Sequence, residues 1–151
     1  MKRYYFAYGM NTNLREMALR CPNATCLGYV VLRDHKFAFR LHADVEYSEG
    51  SSVDGVLWEI TEQCEDALDR LEGYPYYYDK KGVVVETPSG TNIKGMTRLL
   101  AMVYFMNDQD TVGFPSQSYY NCLIEGYTAN GVPTDQIDEA MNDVNEKAQY
   151  T

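Results

Sequence analysis

The sequence predicts an α+β domain: a small, mainly antiparallel β-barrel or curled sheet with flanking helices. Three observations carry that expectation. The chain has 151 residues, 45% apolar and 23% charged, which suits one domain able to bury ~70% of its unfolded surface without a disulfide or structural metal. Segments rich in aromatic and β-branched residues fill its first two thirds. Helical periodicity with good caps then closes the chain, and strands do not alternate with helices as in a repeated βαβ wind. Residues 1–151 read as a single domain, because no repeat, low-complexity tract or linker divides them.

Residues 2–8 (Lys-Arg-Tyr-Tyr-Phe-Ala-Tyr) form the first expected strand, ended at Gly9. From Asn13 to Arg20, Leu14, Met17 and Ala18 recur at helical spacing, and Pro22-Asn23 stops the helix. Leu27–Leu32 and Lys36–Leu41 read as strands on either side of polar Arg33-Asp34-His35. Val53–Ile60 reads as another, with Gly55 marking a close approach. Thr61 is a good N-cap for a helix over 62–72 whose buried stripe is Cys64, Leu68 and Leu71. Gly73 is its C′ residue, and Pro75 prevents continuation. Strands follow at Tyr77–Thr87, with a break at Lys80-Lys81-Gly82 as one reading, and at Leu99–Met106. Ser116 or Ser118 caps a helix through Tyr127, and Gly131 with Pro133 turns the chain into an acidic helix, Asp135–Lys147.

The charge balance is 13 basic against 22 acidic residues, a net −9, with a pI near 4.6. That argues against nucleic acid and membrane partners, which both need a basic footprint. Tyrosine is the compositional oddity, at 14 residues against one Trp and five Phe. So many phenols suit a polar small-molecule cleft, although tyrosine is also an ordinary strand residue. No stretch has the form of a secretory signal, and none is apolar for long enough to span a bilayer. The four cysteines, Cys21, Cys26, Cys64 and Cys122, lack metal-ligand spacing and read as free thiols of a cytoplasmic protein. Glycine-rich nucleotide loops, a nucleophile elbow and a zinc-binding helix motif are all missing, so neither metal nor cofactor is expected. His35 and His42, the only imidazoles, read as ordinary structural or surface residues of a hairpin.

Two segments suit chemistry. In Tyr8-Gly9-Met10-Asn11-Thr12-Asn13 a glycine lets the backbone approach a ligand, and a helix starting just after it aims N–H groups at an anion. The plainer alternative is a turn with an Asn or Thr cap. The second segment runs from Leu68 to Tyr78, where Glu72 is the last helical residue before Gly73. A carboxylate there faces the negative end of the helix dipole, which pushes its pKa upward and suits a general base.

Together these segments resemble the γ-glutamylcyclotransferase-like superfamily. Phe6-Ala7-Tyr8-Gly9-Met10-Asn11 is similar to its Tyr-Gly-Ser-Asn loop, and Leu68-Asp69-x-x-Glu72-Gly73 with Pro75 and Tyr78 to its helix bearing the catalytic Glu. Val53-x-Gly55-x-Leu57-Trp58, Ala101-x-Val103-Tyr104, Pro115 to Tyr119 and Gly126 to Pro133 add matches in order along nearly the whole chain. Met10 departs from the pattern, standing where the family has Ser. The resemblance implies a barrel with a cleft between loop and Glu, and a cofactor-independent reaction. The α-amine of a γ-glutamyl amine or γ-glutamyl amino acid attacks its own γ-carbonyl and closes 5-oxoproline. Glu72 would be the catalytic acid/base; Tyr8, Gly9, Met10, Asn11, Tyr78, Tyr104 and Tyr119 would bind substrate. A binding protein for such ligands on the same fold and an acidic interaction protein are the competing readings. The sequence leaves the oligomeric state open.

Overall fold

The computed structural model describes residues 3–149; Lys2, the expected first strand residue, lies outside them. Five strands form a closed barrel in the order β1-β3-β2-β4-β5. The strands are β1 (Arg3–Ala7), β2 (Thr25–Arg40), β3 (His42–Ile60), β4 (Tyr78–Glu86) and β5 (Arg98–Met106). The helices are α1 (Leu14–Arg20), α2 (Glu62–Glu72), α3 (Gln117–Ala129) and α4 (Asp135–Gln149). Every strand pairing is antiparallel except β1 with β5, which meet in parallel at the single pair Tyr5 and Met102. The α+β barrel with flanking helices is therefore the architecture found.

Several elements differ from the sequence reading. The two strands expected around Arg33-Asp34-His35 are one, because that tripeptide forms a bulge and not a break. Asp34 takes a positive φ of 59° there, and its carboxylate accepts from the Gly50 N–H at 3.0 Å. Residues 42–52, unassigned from sequence, extend β3 against β2 from Arg40↔His42 to Arg33↔Ser52. Their Ser, Gly and acidic residues hide a strand whose outer end faces water. β4 runs unbroken through Lys80, Lys81 and Gly82, each paired to β5.

Helix α2 begins and ends where the caps require. Thr61 Oγ1 accepts from the Cys64 N–H at 3.2 Å, and Gly73 takes the left-handed conformation at φ 66°. Its buried stripe is Cys64, Glu65 and Leu68. Leu71, expected in that stripe, is 42% exposed. Ser116 caps α3 through the Tyr119 N–H at 3.2 Å.

Cys21 and Cys64 form a disulfide, which corrects the free-thiol expectation for that pair; Cys26 and Cys122 are free. The bridged cysteines lie 43 positions apart, so spacing gave no hint of their pairing. The fold brings the end of α1 against the start of α2. No helix among the described residues is long and apolar enough to cross a membrane.

Candidate functional site

Close packing of β1 on β3 sets the site's first wall. A side chain at Gly55 would run into the Ala7 carbonyl and the Phe6 ring, so glycine lets β1 lie flush and delivers Tyr8 to Asn11 at the barrel end. Immediately after Gly9 the chain makes a 3-10 turn over Met10–Thr12, not the α-helix itself. Helix α1 begins at Leu14, with Asn13 Oδ1 accepting the N–H groups of Arg15 and Glu16. This corrects the expectation of a helix dipole aimed at Gly9: the first amides of α1 are capped by Asn13, and the dipole starts only at Leu14. Helix α3 buttresses the loop from behind. The Tyr127 hydroxyl donates to the Tyr8 carbonyl at 2.6 Å, and Asn130 Nδ2 donates to the Thr12 carbonyl at 3.0 Å.

The second wall is the C-terminal end of α2. Asp69, one turn before Glu72, accepts from the Tyr104 hydroxyl at 2.6 Å and pairs with Lys80 at 2.8 Å. Lys80 also pairs with Glu65 at 2.7 Å. These bonds pin α2 to β4 and β5, and they fix where Glu72 emerges. Asp69 stands in the Leu68-Asp69-x-x-Glu72-Gly73 match, but the sequence reading gave it no role.

Between the walls lies a cavity of about 250 Å³ lined by all eight residues singled out from the sequence. Glu72 and the loop meet there: Asn11 Nδ2 reaches Glu72 Oε1 at 3.4 Å and the Tyr5 hydroxyl at 3.1 Å. Burial raises the Glu72 pKa from 4.5 to about 7, against a smaller lowering by Arg20. Asn11 is itself buried, and its Oδ1 has no hydrogen-bond partner.

The phenols are held by backbone. Tyr8 donates to the Tyr104 carbonyl and Tyr78 to the Ala43 carbonyl, each at 2.7 Å. The Tyr119 oxygen accepts the Ala43 N–H at 3.0 Å. A Cβ on Gly9 would lie 2.9 Å from that oxygen and 3.3 Å from Ala43 Cβ, so glycine keeps the cleft open. The Met10 sulphur lies 3.5 Å from Arg20 Nη2.

Tyr5, His42, Ala43, Leu71 and Tyr77 also line the cavity. His42, read from sequence as a structural or surface residue, is exposed and edges the cavity: its Nδ1 lies 3.0 Å from the Tyr77 hydroxyl, and its ring meets Tyr119 edge-on at 5.2 Å. The run of tyrosines after Gly73 was a signal for Tyr77; nothing in the sequence singled out Tyr5 or His42. His35 is buried elsewhere, with Nδ1 2.9 Å from the Arg33 carbonyl.

The barrel and its helices have the fold of the γ-glutamylcyclotransferase-like superfamily. A protein described as a γ-glutamyl cyclotransferase matches with a TM-score of 0.79 and 25% identity, over 93% of this chain and 87% of that one. An uncharacterized protein from Homo sapiens matches at 0.77 and 25%, over 93% and 86%. A γ-glutamyl cyclotransferase specific to glutathione, from yeast, shares the fold at 0.63 and 11%, over 96% of each chain. The model of the AIG2-like family matches residues 52–139, and the chain belongs to that family. That span holds Glu72 but not the Tyr8–Asn11 loop, which β1 brings to it through β3. Comparison with curated proteins gives no match.

Proposed function

We propose that this protein is a cyclotransferase that releases 5-oxoproline from a γ-glutamyl amine or γ-glutamyl amino acid. The observation that carries the reading is a half-buried carboxylate with a pKa of about 7, in hydrogen-bond reach of a loop side chain across a small cleft. A base poised near neutrality suits the task, because the substrate amine arrives mainly as ammonium.

Glu72 takes a proton from the α-ammonium, and the freed amine attacks the γ-carbonyl of the same molecule. Amine and carbonyl share one short tether, so ring closure has a large effective molarity and needs no protein nucleophile. Glu72 then returns the proton to the departing nitrogen and the C–N bond breaks. The ring nitrogen gives up its second proton, which passes through Glu72 to the freed amine, so an ammonium and 5-oxoproline leave. The buried, unpartnered Asn11 Oδ1 is an acceptor suited to the ammonium. Gly9 to Asn11 hold the γ-glutamyl group, and the rings of Tyr8, Tyr78, Tyr104 and Tyr119 wall it from water.

Incubation with a panel of γ-glutamyl compounds, followed by detection of 5-oxoproline, tests the proposal. Formation of 5-oxoproline from at least one compound is expected. A ligand that binds and is recovered unchanged would favour a binding protein on this fold.

A further inference from the structure

The outer half of the β2–β3 hairpin is an arm. From the pair His35↔Tyr47 to the pair Arg40↔His42 its strands pair with each other and, at Arg40, with Gly113. Their ladders to β4 and β1 lie farther back, at residues 31–32 and 56–60. The tip of the arm nevertheless lines the cleft through His42 and Ala43. Two cleft phenols take hold at Ala43. Tyr78 donates to its carbonyl at 2.7 Å, and its N–H donates to the Tyr119 oxygen at 3.0 Å. The arm that carries both anchors needs a fastening of its own.

That fastening is a buried ion pair beside Ala43. Asp44 is 0% and Arg40 4% exposed, and Arg40 Nε donates to Asp44 Oδ2 at 2.8 Å. The same oxygen accepts from Gln109 Nε2 at 3.1 Å, and Asp44 Oδ1 accepts the Met106 N–H at 2.8 Å. Met106 ends β5 and is the register partner of Tyr78. Asp44 thus fastens the arm to the strand end beside which Tyr78 stands. The Ala43 carbonyl and the Asp44 Cα share one peptide plane, so fixing Asp44 fixes the oxygen that orients Tyr78. Three donors converge on Asp44, and an ionised carboxylate accepts from all of them without presenting a donor of its own. A buried ion pair adds little net stability once desolvation is counted. What this one supplies is a fixed place for the arm.

We propose that Asp44 is a positioning residue for the cyclotransferase reaction: paired with Arg40, it holds Ala43 where Tyr78 and Tyr119 stand as walls for the γ-glutamyl group. The inference rests on the cyclotransferase reading and adds to it a residue outside the cleft.

Asp44→Asn tests it, because Asn keeps the volume but turns an N–H2 group toward these donors. Glu72 is held separately, through the bonds of Asp69 to Tyr104 and Lys80, so the walls should move and the base should not. With the panel compound that the native protein turns over fastest, KM should rise at least about tenfold while kcat falls less than about threefold. Exchange of the Ala43 amide hydrogen, followed by NMR, should quicken at least about tenfold while that of Leu57 in the barrel part of β3 stays unchanged. An unchanged KM, a fall in kcat larger than the rise in KM, or equal quickening at Ala43 and Leu57 would make Asp44 a residue of stability alone and overturn the inference. A raised KM with unchanged exchange at Ala43 would overturn the path through Ala43. Should Asp44→Asn not fold, Gln109→Ala, which removes one of the three donors, takes its place under the same criteria at about threefold. Absence of 5-oxoproline from the native protein with every compound of the panel would instead overturn the cyclotransferase reading, and this inference with it.

Discussion

Asn11 Nδ2 lies 3.4 Å from Glu72 Oε1, so the loop after β1 and the end of α2 share a polar contact across 61 positions of sequence. The Asn11 carbonyl accepts from Trp58 Nε1 at 2.9 Å, which ties the same residue to β3. The loop is thus held from the barrel side and the helix side at once. A carboxylate facing it is positioned by the fold, not by its own flexibility.

Glu72→Gln should abolish 5-oxoproline formation while preserving the fold. Gln keeps the shape and a hydrogen-bonding oxygen but can neither take up nor release a proton at neutral pH. Retained turnover in the variant, measured beside an unchanged circular dichroism spectrum, would remove Glu72 from the mechanism.

The same substitution should stabilise the protein, and by an amount that depends on pH. The folded pKa of about 7 lies above the ordinary 4.5, so the folded state binds more protons between those values. Stability is therefore highest below about pH 4.5 and falls as pH rises toward 7, by at most about 3 kcal/mol for this group. Glu72→Gln should raise Tm by about 2–6 °C at pH 8, with the difference gone by pH 4. A Tm gain independent of pH would contradict the buried-charge account.

The rate should follow the carboxylate. With Glu72 as base, kcat/KM should rise with pH through a midpoint near 7. A profile flat from pH 5.5 to 8.5 would argue for another proton acceptor.

Gly9→Ala should lower kcat/KM by at least about tenfold. The added methyl meets the Tyr119 oxygen at 2.9 Å and the buried Ala43 Cβ at 3.3 Å, narrowing the cleft. Unchanged kinetics would show that substrate does not come near the loop.

Reduction should expose two further thiols. Titration of the unfolded protein should find two reactive thiols before reduction, Cys26 and Cys122, and four after it. Reduction should also lower stability, by about 2–4 kcal/mol for a closed loop of this length. Four thiols without reductant would show that Cys21 and Cys64 are not bridged.

The caps and periodicities made helix α2 legible to the residue, because Thr61, Leu68 and Gly73 each encode a local preference. β1, β4 and β5 were legible for a similar reason, being runs of rings and branched side chains. The outer half of the β2–β3 hairpin was not, since Ser48 to Ser51 fall in the register shift between Tyr47 and Ser52 and only the pairing on either side of them continues the strand. Glu72 was visible as an acid at the wrong helix end, but its link to Gly9–Asn11 came from resemblance. His42 and Tyr5 owe their places to chain segments far away, and nothing next to them in sequence announces that.

The parallel seam between β1 and β5 has one register pair, far less ladder than any antiparallel seam beside β3. Rings make up the difference: Tyr5 and Tyr104 meet edge-on with centroids 5.8 Å apart, and the Tyr8 hydroxyl crosses to the Tyr104 carbonyl at 2.7 Å. The rings that wall the cleft are thus also the braces of the barrel seam with the shortest ladder. A molecule lodged among them would act as a splint, so that occupancy of the cleft and closure of the barrel would reinforce each other.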